Sequence, residues 1–133
     1  MPDFLFDTDT CIYWLKGNQA IESKIRKTGL RNIGTSVITA CELYYGAYKS
    51  GRVSANLKVV KELADKIEVV NMAAGVPALY GRIKSELEQK GRSLDDADLI
   101  IACICLDSGA TLVTNNTRHF KNVPGLALQN WAT

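Results

Sequence analysis

The sequence predicts an α/β fold, a mainly parallel sheet sandwiched between helices, and three observations carry that expectation. Short apolar runs that read as strands alternate along the chain with longer stretches of helical periodicity. Strands separated in sequence by helices pair in parallel, because the crossover needs a helix's length of chain. The 133 residues, set against about 150 per domain, make one domain spanning 1–133. With 47% hydrophobic and 23% charged residues, the chain can bury a core and is not a disordered tail.

Each element follows from a local signal. Phe4-Leu5-Phe6 is a short buried strand ending at Asp7. A helical stretch from about Cys11, with Ile21 and Ile25 on one face, ends near Gly29. Asn32 to Val37 reads as the second strand. Thr39-Ala40-Cys41-Glu42 has capping-box spacing and opens a helix through Tyr48 that stops near Gly51. A helix from about Ser54 to Asp65 leads to a third strand, Ile67 to Val70. Ala73 to Lys90 is helical, with Leu79, Ile83 and Leu87 on one face and Gly91 as the stop. Ser93 to Asp96 caps a strongly apolar helix, Leu99 to Leu106. Thr111 to Thr114 is a fourth strand, and Leu126 to Leu128 a short fifth.

Several function classes drop out. No run approaches the roughly 18 apolar residues that span a membrane, and Asp3 stands where a signal peptide carries Lys or Arg, so a cytoplasmic protein is expected. The four cysteines, Cys11, Cys41, Cys103 and Cys105, form no C-x-x-C pair and read as small buried fillers rather than a zinc site. A net charge of +2 neither demands nor forbids nucleic acid.

In parallel sheets the ligand site lies beyond the carboxyl ends of the strands. Asp7 directly follows the first strand, Glu42 lies in the first turn after the second, Asn115 and Asn116 follow the fourth, and Asp98 lies in the first turns of the most apolar helix, with Asp95 one turn before it. Two carboxylates about 5 Å apart at an effective dielectric near 20 repel by roughly 3 kcal/mol, so converging acids call for protonation or a cation. Oxygen donors without Cys or His select a hard ion, Mg²⁺ or Mn²⁺, and the chemistry implied is phosphodiester hydrolysis. The reading depends on Asp7 and Asp98 sharing one end of one sheet.

Plainer roles compete. Glu42 serves equally as the capping-box partner of Thr39, Asp96 as a charge on the helix dipole, and Asp9 as a surface cap for the first helix. His119, the sole histidine, reads as a packing or surface residue rather than a general base. Tyr44, Tyr45 and Tyr48, like Trp14 and Trp131, read as core or dimer packing.

Four blocks in order, Phe4-Leu5-Phe6-Asp7-Thr8-Asp9, Ser36 through Gly46, Asp98-Leu99-Ile100-Ile101-Ala102 and Leu112 through Phe120, resemble PIN-domain ribonucleases. More narrowly they resemble the VapC toxins of bacterial toxin–antitoxin pairs, and Pro124-Gly125-Leu126 with Asn130-Trp131 extends the likeness over the whole chain. The resemblance implies a three-layer α/β/α domain with a central, mainly parallel sheet of four or five strands. It implies a toxin that is a Mg²⁺-dependent endoribonuclease, with Mn²⁺ as a substitute. Asp7 and Asp98 would be direct metal ligands and Glu42 would act through water. The place of the family's fourth acid holds Asn116, which would orient a water or ligand. Asp9, Asp95, Thr8 and Thr114 are accessory candidates. Arg118 is the foremost RNA-binding candidate among basic flanks that include Lys24, Arg26, Lys27, Arg31, Lys49, Arg52 and Arg92. The implied partners are RNA, tRNA foremost, a VapB-like antitoxin whose Arg or Lys reaches the carboxylates, and a second copy in a homodimer or larger toxin–antitoxin assembly.

Two rivals remain at this level. Asn116 in place of an acid leaves room for a catalytically weak PIN-like module that binds RNA or protein. Asp7-Thr8-Asp9 has the D-x-D form of haloacid-dehalogenase-like phosphatases, although the rest of that pattern is missing.

Overall fold

A computed structural model describes residues 1–133. Strand β1 (Phe4–Phe6) leads into α1 (Thr8–Leu15) and α2 (Gln19–Thr28), and a 3₁₀ turn (Leu30–Asn32) into β2 (Ile33–Ser36). Helices α3 (Val37–Lys49) and α4 (Val53–Lys66) precede β3 (Glu68–Val70), and α5 (Val76–Gln89) and α6 (Asp96–Ser108) precede β4 (Thr111–Val113). A single turn, α7 (Thr117–Phe120), and β5 (Leu128–Gln129) complete the chain.

All five strands are parallel in the order β3-β2-β1-β4-β5. Alternation along each strand divides the interior in two. Leu5 and Leu112 face a core shared with Val76, Ile83, Leu99 and Cys103 of α5 and α6. Phe6, Ile33 and Val113 face the other, with Cys11, Ile21, Leu43 and Leu63 of α1 to α4. Phe6 is fully buried there and meets Trp14 and Trp131 edge-on, at 5.8 and 5.3 Å between ring centroids. The sheet therefore lies between two helical layers. Within β2, Gly34 is required by close approach: a Cβ there would sit 2.8 Å from the Glu68 carbonyl oxygen and 2.7 Å from Pro2 Cγ.

Local readings change in four places. The stretch from Cys11 to Gly29 is two helices, because Gly17 turns at φ 85° and Asn18 starts afresh by accepting the Ile21 N–H at 3.0 Å. The third helix begins earlier than expected: Ser36 caps it, accepting the Thr39 N–H at 3.1 Å, so Glu42 lies in its second turn rather than its first and forms no capping box with Thr39. Among the cysteines, Cys11, Cys103 and Cys105 are buried, and burial pushes Cys105 up to about 12, but Cys41 is exposed. Of the core and dimer roles expected for Tyr45 and Tyr48, their exposure of 65% and 66% on α3 removes only the first, whereas Trp131 is buried. No helix is long and apolar enough to cross a membrane.

Candidate active site

The strand order reverses direction at β1: the chain builds outward through β2 and β3, then returns to lay β4 and β5 on the other side. The loops leaving β1 and β4 must diverge there, one toward each helical layer, and a crevice opens at the carboxyl edge. Asp7 sits at this point. Its backbone N–H bonds the Val113 carbonyl of β4 at 3.0 Å, and its Oδ1 caps α1 by accepting the Thr10 N–H at 2.9 Å. The residue is buried, only 6% exposed. Burial pushes its carboxyl above the ordinary range, while hydrogen bonds from the Thr114 hydroxyl and the Thr10 N–H pull the other way and the charge of Asp9 adds to the rise.

Thr8 connects Asp7 to α3. Its hydroxyl donates to Glu42 Oε1 at 2.5 Å and lies 3.2 Å from Thr39 Oγ1. Glu42 is thus tied to the residue after Asp7 and stands exposed at the same edge. An apolar groove of about 650 Å³ runs between α1, α3 and α4, lined by Ile12, Leu15, Leu43, Ala47 and Val60, with Glu42 on its wall.

Helix α6 reaches the edge from the opposite layer. It ends at Gly109, whose φ of 73° turns the chain into β4 within two residues, so α6 runs antiparallel to the strands and its first turn lies at their carboxyl ends. Asp95 caps it by accepting the Asp98 N–H at 2.8 Å. Asp98 Oδ2 is 2.9 Å from Nε2 of His119, which follows β4 on α7, and this contact independently places Asp98 at the carboxyl edge. Partial burial, and then the neighbouring Asp95, push the Asp98 carboxyl up to about 6, against the opposing bond from His119. One ligand atom each from Asp95, Asp98 and His119 lies within 4.8 Å of the others.

The expected residues therefore gather unequally. Asp7, Thr8, Glu42, Asp98 and Thr114 all lie at one edge, but the closest cluster joins Asp98 to Asp95 and His119 rather than to Asp7 and Glu42. Thr114 is buried, and its hydroxyl accepts the Asn116 N–H at 3.0 Å. Asn116 is exposed and precedes α7, its side chain forming no capping bond. Arg118 is exposed on α7. Asp9 is exposed in the first turn of α1, whose cap is Asp7 instead. Asp96 turns away from this cluster, bound by Tyr80 Oη at 2.6 Å and Lys84 Nζ at 2.9 Å. His119 departs most from expectation: it is neither core nor free surface but bonded to Asp98. Its position after a parallel strand is the same signal that marks Asp7, and applying that signal to imidazoles as well as carboxylates finds it.

The donors suit a divalent cation. Two carboxyls raised by burial, one in each helical layer, plus Glu42 and Asp95, set oxygen ligands along one edge of the sheet.

Residues 4–126 match the family described as PIN domain. Ribonuclease VapC2 of Rickettsia felis is 34% identical over 130 residues, 96% of this chain and 97% of that protein. The tRNA(fMet)-specific endonuclease VapC of Shigella flexneri is 33% identical over 132 residues, 99% of this chain and 100% of that protein. Among solved structures, the fold superposes on a DNA-bound VapBC complex from Salmonella typhimurium with a TM-score of 0.93, at 33% identity over 98% of this chain and 99% of that one. A promoter-bound VapBC2 from Rickettsia felis gives 0.86 at 32% identity, covering 96% and 98%. A parallel sheet ending in an acidic crevice, with a third of its residues shared along nearly the whole length, places this chain in the PIN-domain family, among the VapC ribonucleases.

Proposed function

We propose that this chain is the toxin of a toxin–antitoxin pair, a cytoplasmic Mg²⁺-dependent endoribonuclease formed by one PIN domain over 1–133. The observation that supports it best is that Asp7 and Asp98, from opposite helical layers, meet the same carboxyl edge with both carboxyls raised by burial. Asp7, Glu42 and Asp98 are the residues that would hold Mg²⁺, or Mn²⁺ in its place. Bound there, the ion supplies Lewis-acid stabilisation of negative charge on a phosphoryl oxygen.

The chain's own groups do the positioning. Thr10 fixes Asp7 at the edge by committing one of its oxygens to the cap of α1. Thr8 fixes the rotamer of Glu42. Asp95 stiffens the first turn of α6 under Asp98. Arg118 and Asn116, exposed after β4, are the groups nearest in sequence for an RNA phosphate or an attacking water.

For the substrate, tRNA is favoured because the similar Shigella protein is named as a tRNA(fMet)-specific endonuclease. For the partner, the similar structures are complexes with an antitoxin, and the apolar groove beside Glu42 has room for an antitoxin segment, with a basic side chain reaching the carboxylates. Exposed Tyr45 and Tyr48 suit a second copy in a homodimer or larger toxin–antitoxin assembly.

Purified protein incubated with a tRNA panel and with messenger RNA, followed by 5′-end mapping, tests this. Discrete tRNA cuts that vanish in EDTA and return with Mg²⁺ are expected. Cutting that persists in EDTA, or in a folded Asp98→Asn variant, overturns the assignment.

A further inference from the structure

We infer that His119 is a direct nitrogen ligand of the cation held at Asp98, giving this chain a mixed nitrogen and oxygen donor set that favours borderline first-row ions such as Co²⁺ more than an all-oxygen site does. The inference rests on the reading of Asp98 as a cation ligand.

Three atoms carry it. His119 Nε2 and Asp98 Oδ2 are 2.9 Å apart, and a carboxylate oxygen of Asp95 lies within 4.8 Å of both. Around an octahedral ion with bonds of about 2.1 Å, adjacent ligands sit about 3 Å apart and opposite ones about 4.2 Å. The spacing of His119 and Asp98 is that of neighbouring ligands, and Asp95 adds a third donor atom within 4.8 Å of both.

Each atom is fixed by a separate anchor, so the arrangement is built rather than incidental. Asp95 is held as the cap of α6. Asp98 sits in the first turn of that helix, whose next residue, Leu99, is buried in the core. The His119 ring meets the buried Phe120 edge-on at 5.2 Å, and its backbone N–H bonds the Asn116 carbonyl at 3.1 Å. The His119 and Asp98 side chains are nonetheless 33% and 28% exposed, which leaves the pair open to an incoming ion. One proton lies between Nε2 and Oδ2 in the hydrogen bond, and it passes to solvent when both atoms turn to the cation. Imidazole in place of a further oxygen strengthens binding along the first-row series more than it strengthens binding of Mg²⁺.

His119 is the only histidine, so the wild-type chain itself gives a decisive test. Protein grown with ¹⁵N-histidine and loaded with Mn²⁺ is examined by pulsed electron paramagnetic resonance, beside unlabelled protein, Asp98→Asn and His119→Gln. A coupling typical of a directly bonded imidazole nitrogen, changed by the label and lost in His119→Gln, is expected. Calorimetric titration should show the Co²⁺-to-Mg²⁺ affinity ratio falling about tenfold in His119→Gln. Mn²⁺ binding that depends on Asp98 but shows no such coupling overturns the role of His119 and leaves the cation reading intact. Binding that does not depend on Asp98 overturns both.

Discussion

Replacing Asp98 by Asn should stabilise the cation-free protein at neutral pH while abolishing its activity. Burial and Asp95 raise the Asp98 carboxyl from 3.8 to about 6, and a displacement of that size corresponds to about 3 kcal/mol. The sign follows from linkage. The folded state keeps its proton to higher pH than the unfolded chain, so the full stability is present below about pH 4 and drains away as pH rises to about 6 and beyond. Asn cannot ionise, and its carbonyl oxygen can still accept from His119. The variant should therefore match wild type near pH 4 and exceed it by up to about 3 kcal/mol at pH 7.5, about 10 °C in Tm for a chain of this size. Calorimetric melting in EDTA between pH 4 and 7.5 measures this. Saturating Mg²⁺ should then raise wild type alone, by about 2.7 kcal/mol at a hundred times Kd. An Asn variant no more stable than wild type at pH 7.5, or an advantage that does not grow with pH, would refute the claim that burial and Asp95 disfavour the Asp98 charge.

Three further outcomes are expected. Asp7→Asn keeps an oxygen for the Thr10 N–H, so it should melt no lower than wild type yet cut RNA at least about a hundredfold more slowly in single-turnover assays. Thr8→Val removes the hydroxyl that orients Glu42, and RNA cleavage should fall about tenfold with the circular dichroism spectrum unchanged. Gly34→Ala forces a Cβ against the Glu68 carbonyl and Pro2, and urea unfolding should report a loss of about 1–3 kcal/mol.

The layered fold was legible because its signals are local. Phe4-Leu5-Phe6 and Leu112-Val113 are apolar runs too short for helices, and parallel pairing follows from the helices between them. Legibility failed where two nearby signals compete. Gly17 with Asn18 divides a helix that periodicity alone runs together, and Ser36 takes the cap that the capping-box spacing assigns to Thr39. The one-turn α7 was not foreseen, since four residues are too few to show a period.

The order of residues along the chain determined the alternation of strands and helices, and with it the positions of Asp7 and Thr114 just beyond the ends of strands and of Asp98 in the first turn of a helix. Such positions depend only on neighbours in sequence. Which acids meet, and what they meet, was settled by packing. Glu42 faces Thr8 because α1 and α3 share a layer, and Asp98 faces His119 because α6 and α7 converge where β4 ends. Those pairs join residues 34 and 21 positions apart, and no spacing rule spans such distances: only the burial of Phe6 and Leu99 in their two cores fixes the helices that carry them.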